Sequence, residues 1–351
     1  ATLAEEIRTD GPGQIRALIT ISGNPCLSTP HAAALDDALG SLDFMVSIDP
    51  YLNETTRQAN VILPTPPALA RDHYDLALYQ LAVRNVANWT PAAVASPLPH
   101  EWETILRLAA AAVGQGPSAD VAQLDDLVAA ELARRTGQDL ASVAERRGPA
   151  RLVDLMLRAG PYRLTLADLE AAPHGVDLGP LAPRLPELLS TPSGRVELAP
   201  EPIVADVPRL AAQLGVPPPA LVLVGRRQLN SNNSWMHNVA GLVRGSNRCT
   251  AHVHPDDAAE RGITDAQLVT VRSRTGSVTL PAEVTDAVRQ GVVSIPHGWG
   301  HDVAGTVASV AREHAGVNSN VLADDMLVDV PTGTAVLNGI PIELAPAAAT
   351  G

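Results

Sequence analysis

Residues 18–25, LITISGNP, and 42–64, LDFMVSIDPYLNETTRQANVILP, decide the fold, because each carries an apolar run to an abrupt polar end. The run from Ala17 to Ile21 stops at Ser22-Gly23-Asn24-Pro25. Thr29-Pro30 then reads as an N-cap followed by proline at the first helical position, so a helix is predicted to open there. Phe44 to Ile48 is a second buried-strand run and delivers Asp49 to its carboxyl end. A third strand, Asn60 to Leu63, follows a short helical stretch opened by Asn53. The β-α-β-α-β order predicts a right-handed parallel sheet with a ligand crevice beyond the carboxyl ends of its strands. Asn24 and Asp49 would face that crevice, where a carboxylate can accept two hydrogen bonds, from a guanine N1–H and N2–H pair or from sugar hydroxyls. The plainer alternative is that Gly23 and Pro25 make a turn and Asp49 caps a local segment, since no GxGxxG motif follows the first strand.

With 351 residues, the chain is long enough for two domains, each with its own core. A hydrophobic content of 46% with 18% charged residues marks a globular protein. No run of about 18 apolar residues exists, so no membrane span is expected. The opening ATLAEEIRTDGPGQ lacks a basic region and an apolar core, so no signal peptide and a cytoplasmic location are expected. The net charge of −13 argues against a nucleic-acid surface. All basic side chains are arginine, a composition bias that makes arginine richness in itself uninformative. Cys26 and Cys249 stand far apart with no CxxC motif, and both read as small buried hydrophobes.

Three stretches, HEWETILRLAAAAVGQ, VAQLDDLVAAELARRTG and ARLVDLMLRAG, space their apolar residues three or four apart and predict helices between about 100 and 160. Residues 180–219 are rich in proline and read as an irregular crossing. Beyond it ALVLVG, CTAHVH, QLVTVRSR, SVTLPAEV, GVVSIPHG and TAVLNGIPIEL recur with turn signals and predict a closed or partly closed β-barrel. Arg274-Thr275-Gly276-Ser277 marks a hairpin, and Pro255 starts a short helix that Gly262 ends.

From Val207 to Pro255 there is no aspartate or glutamate, yet Arg209, Arg226, Arg227, Arg244 and Arg248 fall there. Gln228, Asn230, Asn232, Asn233, Asn238 and Asn247 share the stretch with Ser231, Ser234 and Trp235. Arginine grips phosphate as a planar fork and amides both donate and accept, so the stretch suits a ligand with phosphates and many heteroatoms. A solvated asparagine-rich loop is the alternative. His252/His254 and His297/His301 have spacings that could bind zinc or iron, but no acid cluster accompanies them, and histidines satisfied by the protein or beside a cofactor are the preferred reading.

The motifs GNP, SID and NETTRQANVILP closely resemble the second half of the Rossmann-like domain in the molybdopterin oxidoreductases, the dimethyl sulfoxide reductase superfamily that includes formate dehydrogenases and nitrate reductases. VGRRQLNSNNSWMHN resembles the opening of that family's C-terminal pterin-binding domain. The stretch from HPDDAAERGI to IPHGWG resembles the rest of that double-psi β-barrel, and GVNSNVLADD its late asparagine motif. The resemblance implies an α/β chain in three segments: a partial Rossmann-like parallel sheet over 1–115, a helical and proline-rich connection over 116–219, and the barrel over 220–345. It implies that Gly23, Asn24, Pro25, Ile48 and Asp49 hold one guanosine end of a bis-molybdopterin guanine dinucleotide. It implies that Gly225, Arg226, Gln228, Asn232, Asn233, Ser234 and Trp235 line pterin or phosphate groups, and that Asn318 and Asn320 bond a pterin edge. His237 stands where relatives often carry threonine or another polar residue, and its role is left open.

Complete relatives carry an N-terminal half with the molybdenum or tungsten ligand and, in many cases, an iron-sulfur cluster. This chain shows no region for either, so no catalytic side chain and no metal ligand is assigned within it. The expectation is the C-terminal, cofactor-binding portion of a formate dehydrogenase-like oxidoreductase acting on a small molecule, inactive without its missing half or partner subunit. A nitrate reductase-like enzyme and a non-catalytic pterin-binding module are the alternatives.

Overall fold

The computed structural model describes residues 2–116 and 118–348. Contacts divide the chain into two compact units, one formed by the chain up to Ile62 together with the chain from Glu197 onward, the other by Leu63–Val196. These units cut across the segments 1–115, 116–219 and 220–345, because the early strands share a unit with the C-terminal sheet.

In the first unit, strands β1 (Ala17–Ile21), β2 (Phe44–Ile48) and β3 (Val61–Leu63) form a sheet in that order. β1 and β2 are parallel, Ala17 lying opposite Phe44 and Ile21 opposite Ile48. The ladder runs on past the strands, the Ser22 amide donating to the Ile48 carbonyl at 2.9 Å. The chain therefore leaves both strands at one edge, which brings the turns after Ile21 and Ile48 side by side. A parallel pair needs a crossover, and helices α1 (Leu3–Arg8), α2 (Pro25–Ser28) and α3 (Ala32–Gly40) enclose its apolar side, with Ile7, Leu35, Leu39 and Met45 buried together.

One helix start differs from the sequence reading. No helix opens at Thr29-Pro30. The Thr29 hydroxyl donates back to the Pro25 carbonyl at 2.8 Å and closes α2, whose N-cap and first residue are Asn24 and Pro25. α3 begins only after His31, held in the left-handed region at φ 50°. The helical stretch opened by Asn53 is a 3-10 turn over Thr56–Gln58, with the Asn53 Oδ1 accepting from the Thr55 and Thr56 amides at 3.0 Å.

The second unit pairs β4 (Arg84–Ala87) with β5 (Val176–Pro180) in antiparallel fashion. Helices α4 (Glu101–Ala112), α5 (Val121–Thr136), α6 (Gly148–Ala159) and α7 (Leu166–Glu170) supply the rest. The first three fall on the stretches read as helical. α5 starts at Asp120, whose carboxylate accepts the Ala122 amide at 2.9 Å. The buried Arg151 and Asp125 lie 3.2 Å apart, a pair from which neither partner can be removed without leaving a buried charge.

The proline-rich stretch 180–219 contains two short exposed helices, Glu201–Ala205 and Val207–Gln213. Beyond it come β6 (Val222–Arg226), β7 (Ala251–Val253), β8 (Leu268–Arg272), β9 (Ser277–Val284), β10 (Val292–Pro296), β11 (Ile340–Pro341) and β12 (Glu343–Pro346), in the order β11-β6-β10-β7-β9-β8-β12. β6/β10 and β7/β9 are parallel; the other pairs are antiparallel. The two edge strands, β11 and β12, are separated in sequence by Ile342 alone, so the sheet curls until its edges are sewn together by one run of backbone. The Ile342 amide donates to the Leu221 carbonyl at 3.1 Å within that seam. The curled sheet encloses Leu223, Val253, Val269, Val271, Leu280, Val293, Ile295, Leu322 and Leu344. The β8/β9 hairpin and the helix Pro255–Glu260 fall where the sequence predicts them. Among the described residues no helix is long and apolar enough to cross a membrane.

Ile295 sits on a central strand of this sheet with no exposed surface. Ile295→Ala is expected to lower folding stability by about 3 kcal/mol, the cost of lost burial plus a cavity. The loss should read as a lower denaturant midpoint at unchanged slope.

Candidate functional site

The segment 297–301, HGWGH, follows β10 and organises the site. Gly298 has φ +95°, and a Cβ there would lie 2.2 Å from the Asn233 carbonyl oxygen. Gly300 has φ +113°, and a Cβ would meet the Asn318 Cβ at 2.7 Å. Only glycine lets the loop after β6 and the stretch around Asn318 close on this segment together. Between the two glycines Trp299 packs against the His237 ring, centroids 4.1 Å apart, and His301 follows.

A chain of polar side chains runs from there. His237 Nε2 lies 2.8 Å from Ser231 Oγ, and His237 Nδ1 lies 2.8 Å from His301 Nε2. His301 Nδ1 lies 2.8 Å from Glu54 Oε1, and the Asn24 amide donates to Glu54 Oε2 at 2.8 Å. The Thr55 hydroxyl donates to Asn24 Oδ1 at 2.7 Å. The loop after β6 and the turn after β1 are thereby joined through buried side chains. Burial, followed by the neighbouring His301, pushes the His237 imidazole down to about 4 from 6.5. Burial alone would raise the Glu54 carboxyl, but the hydrogen bonds from His301 and Asn24 outweigh it and hold the group below its ordinary value.

The predicted residues separate into two groups. Asn24, Asn318 and Asn320 are engaged with the protein. The Asn318 amide donates to the Cys26 carbonyl at 2.8 Å and the Asn320 amide to the Leu27 carbonyl at 2.6 Å, which fastens α2 to the late asparagine motif. Asp49 accepts from the Tyr51 amide at 2.8 Å and from the Asn53 side chain at 3.5 Å; its burial raises the carboxyl above its ordinary value. Ile48 is fully buried, Pro25 starts α2, and Gly23 has room for a side chain, the left-handed residue of that turn being Ser22. Arg226 turns into the sheet: its guanidinium donates to the Ser294 carbonyl at 2.9 Å and the Thr250 carbonyl at 3.1 Å, leaving Nε with no partner among the described residues.

The second group forms a polar cleft of about 230 Å³ lined by Arg227, Gln228, Leu229, Ser231, Asn232, Asn233 and His297, with no acid among them. Arg227 donates to Asn233 Oδ1 at 2.7 Å, while the side chains of Gln228 and Asn232 make no hydrogen bond among the described residues. Asn232 and Asn233 have φ of 42° and 61°, a region asparagine tolerates better than most residues. Ser234 is half-buried and Trp235 exposed beside them, and the Gly225 amide donates to Asn338 Oδ1 at 2.8 Å. Arg227, Glu54, Ser231 and His301 were not assigned from sequence. An acid in NETTR, a stretch separated from SID by three residues, and a serine inside an acid-free stretch are the available signals. Both cysteines are buried and free, and burial pushes the Cys26 thiol up to about 11. No group of three or more histidine, cysteine or acidic residues is arranged to hold a metal ion among the described residues.

Residues 221–339 match the model of the molydopterin dinucleotide binding domain. The assimilatory nitrate reductase catalytic subunit of Bacillus subtilis (strain 168) is 25% identical over 300 residues, 82% of this chain and 38% of that protein. The F420-dependent formate dehydrogenase 1 subunit alpha of Methanococcus maripaludis is 25% identical over 309 residues, 86% of this chain and 41% of that one. Together these matches support a molybdopterin oxidoreductase of the dimethyl sulfoxide reductase superfamily. It spans about two fifths of the length of these relatives. Acetylene hydratase from Pelobacter acetylenicus shares the fold, with a TM-score of 0.61 over 98% of this chain and 46% of that one at 19% identity. The donor set of the Arg227–Asn233 cleft fits such a cofactor, since a polyanionic, heteroatom-rich ligand needs cationic and amide groups free of carboxylates.

His237 carries a pH signature. As the pH falls through 6.5 the unfolded chain binds a proton at this histidine that the folded protein binds only near 4, so stability from this group is full above about 6.5 and is lost between there and 4. The loss is on the order of 3 kcal/mol, and Glu54 adds to it in the same direction at lower pH. Denaturant midpoints measured from pH 7.5 to 4.5 should fall accordingly, with a shallower fall in His237→Gln; equal slopes would remove His237 as the cause.

Proposed function

We propose that this chain is the cofactor-binding portion of a molybdenum or tungsten bis-molybdopterin guanine dinucleotide oxidoreductase, with formate as substrate. The observation that carries the reading is the acid-free cleft of Arg227, Gln228, Asn232 and Asn233, tied by buried hydrogen bonds to the turns after β1 and β2. Nitrate reduction is the second reading, carried by the nitrate reductase relative matched at the same 25% identity as the formate dehydrogenase. The curled sheet is proposed to be a double-psi barrel, with 1–115, 116–219 and 220–345 as the functional segments.

When bound, the cofactor supplies a metal centre that exchanges two electrons with substrate. This chain's residues bind and orient it. Arg227 offers guanidinium donors to phosphate, while Gln228 and Asn232 bring amides to the same cleft. Asp49 keeps acceptor capacity beyond its contacts to Tyr51 and Asn53, since a carboxylate has roughly four lone-pair sites, and is proposed to take the guanine N1–H and N2–H. Asn318 and Asn320 secure α2 and so position the turn that holds Asn24.

Purified alone, the chain is expected to show neither formate- nor nitrate-dependent dye chemistry, and supplying the remaining portion of the enzyme should restore one of them. Turnover by the chain without that portion would overturn the reading. In the assembled enzyme Arg227→Ala should weaken cofactor retention by about 1 to 3 kcal/mol, measured as pterin per protein. Asp49→Asn, which preserves an acceptor for Tyr51, should also lower it; unchanged guanine nucleotide content would remove Asp49 from the site.

A further inference from the structure

We propose that Ser231, His237, His301 and Glu54 form a one-proton relay that lets Glu54 take a proton from the Arg227–Asn233 cleft or return one to it. The inference rests on the two-electron oxidoreduction proposed above, whose formate or nitrate half-reaction releases or takes up protons. The four residues are exposed by 4%, 2%, 5% and 3% respectively, and each successive contact is 2.8 Å. Ser231 lines the acid-free cleft at one end, and Glu54 lines a separate cleft of about 360 Å³ with Arg57 and Asp36 at the other. Trp299 packs on His237, the Gly298 backbone and His297 also act on that ring, and Arg248 and His314 line the same pocket as His237.

The polarity of the chain follows from its fixed end. The Thr55 hydroxyl accepts the Cys26 amide at 3.1 Å, so its own proton goes to Asn24 Oδ1. The Asn24 amide nitrogen therefore faces Glu54 Oε2 as a donor. Ionised Glu54 accepts at Oε1 as well, which requires a proton on His301 Nδ1; as a neutral ring His301 then accepts at Nε2. His237 must then donate from Nδ1 and accept at Nε2 from the Ser231 hydroxyl. A proton arriving at Ser231 displaces the hydroxyl proton onto His237 Nε2. His237 passes its Nδ1 proton to His301 Nε2, and His301 passes its Nδ1 proton to Glu54. One proton has entered and one has arrived; both imidazoles have changed from the Nδ1–H to the Nε2–H form, and no electron or heavy atom has moved. Each step reverses when the proton returns.

Glu54→Gln tests the relay without a bound cofactor. Asn24 still donates, so the glutamine must turn its oxygen to Asn24 and its NH2 to His301 Nδ1. Nitrogen-15 NMR of the histidine-labelled full chain at pH 7 should find His237 and His301 both in the Nδ1–H form in the wild type and both in the Nε2–H form in the variant. Rings that keep the Nδ1–H form in the variant overturn the relay. In the assembled enzyme the same variant should lower kcat on the order of a hundredfold with KM and pterin content unchanged, and an unchanged kcat overturns it equally. Absence of pterin from the wild-type enzyme would instead defeat the functional reading, with the relay still judged by the ring tautomers.

Discussion

The hydrogen bond between Glu54 and His301 joins residues 247 positions apart at 2.8 Å, in a place where both partners are buried. Either group left alone there would carry its full desolvation cost, of about 1 to 3 kcal/mol or more. The contact therefore makes the parallel strands and the curled sheet of the first unit conditional on each other. His301 can reach Glu54 only because Gly298 and Gly300 let neighbouring backbone pass close by. His237 is in turn fixed by His301 and Trp299, and the loop that carries His237 is the loop that forms the acid-free cleft.

Much of the architecture was legible because it is local. An apolar run of five residues that ends in Ser-Gly-Asn-Pro, or in Ile-Asp-Pro, states both a buried strand and where it stops. Apolar residues three or four apart stated α4, α5 and α6 in the same way. The helix start at Thr29-Pro30 failed because two candidate signals lay within six residues, and Asn24-Pro25 had already opened α2. The buried network was invisible for a different reason. Glu54 looks like any acid in a short helical stretch, and although His301 reads as a histidine satisfied by the protein or beside a cofactor, nothing local says that its partners are His237 and Glu54. Pairings across such distances leave no periodicity to read.

The asparagines illustrate how one residue type answers two demands. Asn232 and Asn233 occupy left-handed backbone, which their short polar side chains tolerate, and they also bring amide groups to the cleft. Asn24, Asn318 and Asn320 use their amides to hold segments of the protein together. The adjacent arginines divide in the same manner, Arg226 bonding carbonyls within the sheet and Arg227 lining the cleft. Strand alternation explains this split, since neighbouring residues at a strand end project to opposite faces.

The seam of the curled sheet has a consequence for biogenesis. β11 and β12 are one run of backbone serving as both margins of the sheet, so β6 and β8 each lack a neighbour until residues 340–346 have been made. On the ribosome every other strand of the sheet is synthesised before that run, and during this interval two open margins are available for pairing with other chains. A chain interrupted just before Ile340 would expose both margins at once, so premature termination there creates a template for aggregation as well as a shortened protein.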